Sequence, residues 1–246
     1  MPSVSAPPRI LLVDDNADNL VLMRLFLDSD YRIDEAANGR EAVDRFAAAT
    51  YDLVLMDLEM PVLDGHDATR AIRALESREN RPPTPILVLT AHSLDEQRDR
   101  CREAGCSDFL VKPVRKAAIL AALRRFLGRD TAAPDTPVSA PDRAAEPAAC
   151  PLLVDRERLR QLLPLFFDTA AKTLEAARLA LDQGDLEAAR RQGHKLKGSA
   201  LSYGFEEIGL AAKDLELAGE AGDAPHAATA LDRTARLLQE AGGKLF

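Results

Sequence analysis

The sequence contains no tryptophan, aromatic residues make up only 4% of it, and its cysteines number three. So few aromatics argue against a nucleic-acid binder built on stacked bases and favour aliphatic packing of the α/β or helix-bundle kind. Cys101, Cys106 and Cys150 are odd in number and form neither a disulfide framework nor paired CxxC zinc motifs, so they read as ordinary reduced thiols. No basic patch stands out against the net charge of -8, and an acidic chain repels phosphate backbones, which excludes nucleic acid as a partner. The opening "MPSVSAPPRI" lacks the apolar core of a signal peptide, and no run reaches the ~20 apolar residues of a membrane span. These absences predict a soluble, cytoplasmic protein with no membrane partner.

What is present is enough for two cores. A chain of 246 residues with 46% hydrophobic content exceeds one ordinary small domain. Between Arg129 and Pro151 the text changes to "RDTAAPDTPVSAPDRAAEPAACP", where prolines interrupt any helix and large apolar side chains are scarce. That composition is a flexible linker. The predicted organisation is a disordered N-terminus over 1–8, a first domain over 9–128, a linker over 129–152 and a helical bundle over 153–246.

In the first domain "RILLV", "YRIDEA", "DLVLM", "PILVLT" and "DFLVK" alternate with segments of helical length. Five such units predict a doubly wound parallel sheet with helices on both faces, which explains why the central runs are apolar at consecutive positions. After the linker, helices are expected near 155–183, with a kink or break at Pro164, and near 186–202, 205–220 and 226–241. Short connections at "DQGD", "YGF" and "GEAGDAP" favour an antiparallel four-helix bundle.

The apolar runs end informatively: in Asp14 and Asp15, in Asp57, in Thr90, and in Lys112 before Pro113. In a parallel sheet these positions share the carboxyl edge, where ligands of open α/β sheets bind at the point of strand-order reversal. With strand order 2-1-3-4-5, that point brings Asp14, Asp15 and Asp57 together. Clustered carboxylates repel unless a cation is bound, and oxygen-only ligands beside phosphate chemistry suit Mg2+. Asp57 could then attack a phosphoryl group, with Lys112 offsetting charge and the Thr90 hydroxyl bonding a phosphoryl oxygen. Taken singly, Asp15 or Asn16 could cap the next helix, Thr90 could be a strand end and Lys112 a solvated charge. Their placement at four successive strand ends is the stronger signal.

Residues 9 to 128 resemble the receiver domain of two-component response regulators, on "ILLVDDN", "DLVLMDLEMPVLDG", "PILVLTA" and "DFLVKP" in order. The resemblance implies Asp57 as phosphoacceptor, with Mg2+ held by Asp14, Asp15, Asp57 and the backbone carbonyl of Glu59. It further implies Thr90 as switch hydroxyl, Lys112 as phosphoryl partner, Phe109 as an aromatic that changes rotamer on activation, and a cis bond before Pro113. Simple packing is the alternative role for Phe109. Glu59 and His92, two residues after Asp57 and Thr90, are the positions expected to set acyl-phosphate lifetime.

The second domain raises a different question. "RRQGHKLKGSALSYG" places Gly193 before His194 and Gly198 one turn after it, although each interior glycine costs a helix roughly 1 kcal/mol. Leu186, Ala189, Gly193, Leu196 and Ala200 form the expected buried stripe, and at about 100° per residue His194 lies about 120° from its centre. The ring should therefore face solvent, partly or fully. Gly193 would permit close helix packing behind it, and Gly198, on the same face as His194, would admit a partner in front. Lys195 and Lys197 add positive charge near the ring. A plain surface histidine is the alternative reading. His66, His92 and His226 have no i+3 or i+4 mate and are expected at surface or turn positions, not as metal ligands.

"HKLKGSA" within such a bundle resembles the histidine-containing phosphotransfer (HPt) domain, over approximately 153 to 242. The resemblance implies reversible phosphorylation of His194, with Lys197 supporting the phosphoryl group and Gly198 giving access. Gly193 departs from a pattern that often carries alanine there. Together the two resemblances imply a phosphorelay protein that accepts phosphoryl groups on Asp57 and His194 and passes them between aspartate and histidine. The alternative is a binding module whose receiver state controls access to His194 without internal transfer. With no kinase-type ATP-binding segment in the sequence, the expected partners are a histidine kinase and other receiver or HPt proteins. Any catalysis of its own is limited to Mg2+-dependent phosphotransfer and autodephosphorylation. A linker of ~22 residues has an r.m.s. reach of about 25 Å, compatible with docking of the two domains within one chain.

Overall fold

The apolar runs "RILLV", "DLVLM" and "PILVLT" form strands, as expected. In the computed structural model, which describes residues 6–27, 30–90, 94–112, 114, 116–128 and 156–243, five strands alternate with five helices in the first part of the chain. They are β1 (Arg9–Val13), α1 (Ala17–Leu27), β2 (Arg32–Ala36), α2 (Gly39–Ala48), β3 (Leu53–Asp57), α3 (Gly65–Arg78), β4 (Ile86–Thr90), α4 (Leu94–Ala104), β5 (Asp108–Val111) and α5 (Lys116–Phe126). All pairings are parallel, and the sheet order is β2-β1-β3-β4-β5, as the sequence predicts. Every residue of β3 and β4 is buried, because helices on both faces remove these strands from water.

The edge strand β2 is more polar, and its exposure is managed by local ion pairing. Asp34 accepts hydrogen bonds from Arg9 Nε at 2.9 Å and the Tyr51 hydroxyl at 2.9 Å. Pro8 O already accepts the Arg32 N–H at 2.9 Å, so this edge starts one residue before β1. The rest of the segment expected to be disordered, over 1–5, lies outside the described residues, as do the linker over 129–152, His92 and Pro113 with its expected cis bond.

The described residues group into two compact units, Met1–Pro151 and Leu152–Phe246. The second contains α6 (Arg156–Asp182), α7 (Leu186–Ser202), α8 (Glu206–Glu220) and α9 (Ala224–Gly243). Pro164 neither breaks α6 nor ends it; the helix runs 27 residues across it. Near it, the ring of Phe166, fully buried, stacks on Tyr203 and Phe205 with centroids 4.9 Å apart in both pairs. That tertiary packing outweighs the local cost of proline. The three turns between these helices each contain one glycine at positive φ: Gly184, Gly204 and Gly222.

Candidate phosphoacceptor sites

The first site forms at the carboxyl edge of the sheet. Asp14, Asp15 and Asp57 each offer a carboxylate oxygen, and these atoms lie within 4.8 Å of one another. Asp14 and Asp57 are buried. Lys112 Nζ reaches Asp57 Oδ2 at 2.8 Å and Asp14 Oδ2 at 3.3 Å. Burial pulls the Lys112 ammonium down, but the Asp14 and Asp57 carboxylates outweigh it and hold the group above its ordinary pKa. Thr90 is buried at the end of β4, and its carbonyl accepts the Lys112 N–H at 2.7 Å, which sets Lys112 beside the carboxylates.

One residue here escaped the sequence reading. Asn19 Nδ2 donates to both oxygens of Asp14, at 3.1 and 3.0 Å, and so fixes that carboxylate. Its signal was a buried amide within the apolar helix "ADNLVLMRLFL". Asn16, not Asp15, takes the helix-capping role, its Oδ1 accepting Asp18 N–H at 3.0 Å. Asp15 belongs to the carboxylate cluster.

The loop after β3 is held from both ends. Leu58 N–H bonds Leu89 O at 3.3 Å, Gly65 N–H bonds Leu58 O at 3.0 Å and Gly39 N–H bonds Leu63 O at 3.2 Å. A Cβ on Gly65 would lie 2.2 Å from Asp57 O, so only glycine lets α3 start this close to the strand end bearing Asp57. Val62 sits at φ 72° and Leu63 N–H bonds Pro61 O at 2.9 Å, a γ-turn that is strained for a β-branched residue. Glu59 lies in this loop, half-buried. Phe109 is partly buried against the core that contains Met56 and Val88.

Mg2+ is a hard cation that accepts oxygen ligands from carboxylates while keeping several waters. Three carboxylate oxygens within 4.8 Å fit that ion. Lys112 contributes one cation to three anions, so a divalent ion also fits the charge.

The second site lies between α7 and α8, and here one sequence expectation is overturned. His194 does not face solvent: it is buried, 9% exposed. Its Nδ1 is 2.7 Å from Glu216 Oε1, and Lys197 Nζ is 2.5 Å from Glu216 Oε2. Gly193 sets the spacing of the two helices: a Cβ there would lie 2.9 Å from Glu216 N and 3.0 Å from Ala212 O. With no side chain there, the α8 backbone comes close enough for Glu216 to reach His194. The departure from alanine at this position is thus explained by the packing. Of the expected stripe, Ala189, Gly193, Leu196 and Ala200 are buried, whereas Leu186, at the start of the helix, is half-buried.

Glu216, also buried, is the residue that the sequence reading missed. Burial raises its pKa, yet the hydrogen bonds and charges of His194 and Lys197 outweigh that and hold it at about 2. It is therefore a carboxylate at neutral pH, so His194 Nδ1–H is the donor in that bond. Its signal was an ionisable residue between Leu215 and Ala218 on the buried face of α8. A Cβ on Gly198 would meet nothing within 4 Å, so this position is open, as expected. Lys195 is half-buried and His226 exposed.

His66 is also placed differently from expectation. It sits in the first turn of α3, half-buried, and tertiary packing gives it the neighbours Cys101 and Cys106 that helical spacing could not. Among the described residues, no helix is long and apolar enough to cross a membrane.

Both segments match known protein families. Residues 10–124 match the model of the response regulator receiver domain, and residues 161–243 match that of the Hpt domain. The sensor protein GacS of Pseudomonas syringae pv. syringae is 32% identical over 246 residues, covering 94% of this chain and 26% of that protein. The sensor histidine kinase GacS of Pseudomonas protegens is 30% identical, with 86% and 24% covered, so the chain spans about a quarter of the length of these relatives. The two-component response regulator ORR41 of Oryza sativa subsp. japonica is 42% identical over 123 residues, 48% of this chain and 93% of that protein. Among solved structures, the receiver domain of sensor histidine kinase PA1611 from Pseudomonas aeruginosa, described with a magnesium ion in its active-site cleft, is 41% identical. That match covers 50% of this chain and 99% of that one, with a TM-score of 0.45. The chain belongs to the two-component response-regulator family, with a receiver domain followed by an Hpt domain.

Proposed function

We propose that the protein is a phosphorelay component that accepts phosphoryl groups on Asp57 and on His194 and passes them between aspartate and histidine. The observation that carries this reading is the pairing of two complementary sites in one chain. One is a buried carboxylate held by a lysine; the other is an imidazole held by a carboxylate.

At the first site Asp57 is the nucleophile. Asn19 and Lys112 hold Asp14, so the neighbouring carboxylate keeps its place as charge arrives. Lys112, bonded to Asp57 before reaction, moves to the transferred phosphoryl oxygens, and the Thr90 hydroxyl donates to another. Mg2+ held by Asp14, Asp15, Asp57 and the Glu59 carbonyl supplies, when bound, the positive charge that an incoming phosphoryl group requires. Phe109, packed beside β4, is the aromatic expected to respond to the state of Thr90.

At the second site Glu216 fixes the tautomer. With Nδ1–H committed to that carboxylate, Nε2 carries the lone pair and is the atom that takes the phosphoryl group. As the N–P bond forms, the ring gains positive charge, which Glu216 stabilises. In transfer to aspartate the N–P bond breaks, an O–P bond forms on the carboxylate, and the ring returns to the neutral tautomer. Lys197 balances Glu216 and stands ready to support phosphoryl oxygens, and the open position at Gly198 is the side from which a partner approaches. The partners proposed are a histidine kinase and other receiver or HPt proteins.

The low exposure of His194 favours one second reading: receiver phosphorylation controls access to the ring, without transfer between the two sites. The first reading is tested by labelling each site separately. A carboxylic-phosphoric anhydride donor with Mg2+ should give hydroxylamine-sensitive phosphate that is lost in Asp57→Asn. A phosphoramidate donor should give base-stable phosphate that is lost in His194→Gln. Label that survives either substitution overturns the assignment of that site.

A further inference from the structure

A third cluster lies in the receiver domain, and neither phosphoacceptor site uses it. Helix α4 ends at Gly105, which has φ 85°. Gly105 N–H bonds Arg102 O at 3.1 Å and Cys106 N–H bonds Cys101 O at 2.9 Å. This pair of bonds is the Schellman ending, which sets the side chains at its two outer positions against each other. Those positions are Cys101 and Cys106, so the turn itself brings the thiols together. Arg73 of α3 then staples the turn in place, its Nε donating to Gly105 O at 2.9 Å. Two helical turns before Arg73, on the same face of α3, stands His66.

We infer that His66, Cys101 and Cys106 form a binding site for a thiophilic cation of the Zn2+ class. One ring nitrogen and the two sulfurs all lie within 4.8 Å of one another, and they come from three segments of the chain. Two thiolates and an imidazole are the donor set that selects zinc-like ions over Mg2+. Cys101 is buried, whereas Cys106 and His66 are half-buried, so an ion could enter from solvent and keep water as a fourth ligand. Binding would release the thiol protons to solvent and tie α3 to the α4–β5 turn. A hydrogen bond from Cys101 already holds the Cys106 thiol below its ordinary value, with His66 and Thr69 adding to the effect against burial.

The test uses the full chain, kept reduced by a phosphine and titrated with Co2+ and then Zn2+. The expected result is a sulfur-to-cobalt charge-transfer band that saturates at one ion per chain and is displaced by Zn2+. The band should vanish in Cys101→Ser and Cys106→Ser, weaken in His66→Ala, and persist in Cys150→Ser. Because substitution at buried Cys101 could disturb folding, alkylation of the wild type provides an independent reading. One equivalent of Zn2+ should slow labelling of Cys101 and Cys106 by about tenfold or more while leaving Cys150 unchanged. Absence of the band in excess Co2+, its survival in Cys106→Ser, or labelling indifferent to Zn2+ would each overturn the inference. Formation of a Cys101–Cys106 disulfide in air, with no metal bound under reduction, would likewise replace the metal site by a redox pair.

Discussion

Glu216 shows how much one side chain decides at the residue scale. Its folded pKa, about 2, lies below the ordinary glutamate value of 4.5. The stability it contributes is therefore fully present above about pH 4.5 and is lost as pH falls toward 2. Glu216→Gln should lower stability at neutral pH by about 1 to 3 kcal/mol, since it leaves Lys197 and His194 without their anion. In urea titrations the difference from wild type should shrink as the pH is taken down to the folded pKa; a difference independent of pH would remove the ion pair from the account. The same variant should form phosphohistidine more slowly than wild type.

Lys112 has the matching role at the other site. Lys112→Ala should slow phosphorylation of Asp57 by about a hundredfold, measured with a small-molecule donor at saturating Mg2+. Mg2+ in turn should raise the melting temperature of the wild type, and Asp14→Asn should abolish most of that rise. Asp14, Asp15, Asp57, Thr90 and Lys112 were legible in the sequence because each ends an apolar run, and a parallel sheet gathers such ends. Asn19 and Glu216 were not, because periodicity identifies the face of a helix without naming the residue on a neighbouring element that meets it.

Element α7 illustrates the same limit. Measured against its own stripe, His194 turns outward, yet α8 brings Glu216 against it, and only the contact at Gly193 reveals how close α8 comes. The two glycines should therefore respond oppositely to alanine. At Gly193 the new methyl would meet the backbone of Ala212 and Glu216. Gly193→Ala should thus cost about 1 to 3 kcal/mol, although alanine gains about 1 kcal/mol in helix propensity. At Gly198 the space is open, so Gly198→Ala should stabilise the bundle by about 0.5 to 1 kcal/mol while slowing phosphotransfer with a partner receiver. Denaturant midpoints and transfer rates read both effects, and an unchanged transfer rate in Gly198→Ala would remove access as the reason for that glycine. Helix α6 adds a converse lesson: Pro164 predicts an interruption, and the aromatic packing of Phe166 on Tyr203 and Phe205 overrides it.

For the whole molecule, the order of five strands and the four-helix second unit follow from alternating and consecutive apolar patterns, because handed connections and short turns leave few ways to assemble them. The Cys101, Cys106 and His66 cluster was invisible at that scale, since spacing rules search within an element and this cluster spans three. The central claim concerns the chain as one device, in which Asp57 and His194 exchange a phosphoryl group. The most direct measurement loads the full chain with a donor that phosphorylates aspartate, in Mg2+, and follows base-stable phosphohistidine in wild type, Asp57→Asn and His194→Gln. The account predicts phosphohistidine in the wild type alone. Its absence from wild type whose Asp57 is fully phosphorylated, or its presence at wild-type level in Asp57→Asn, would contradict the relay.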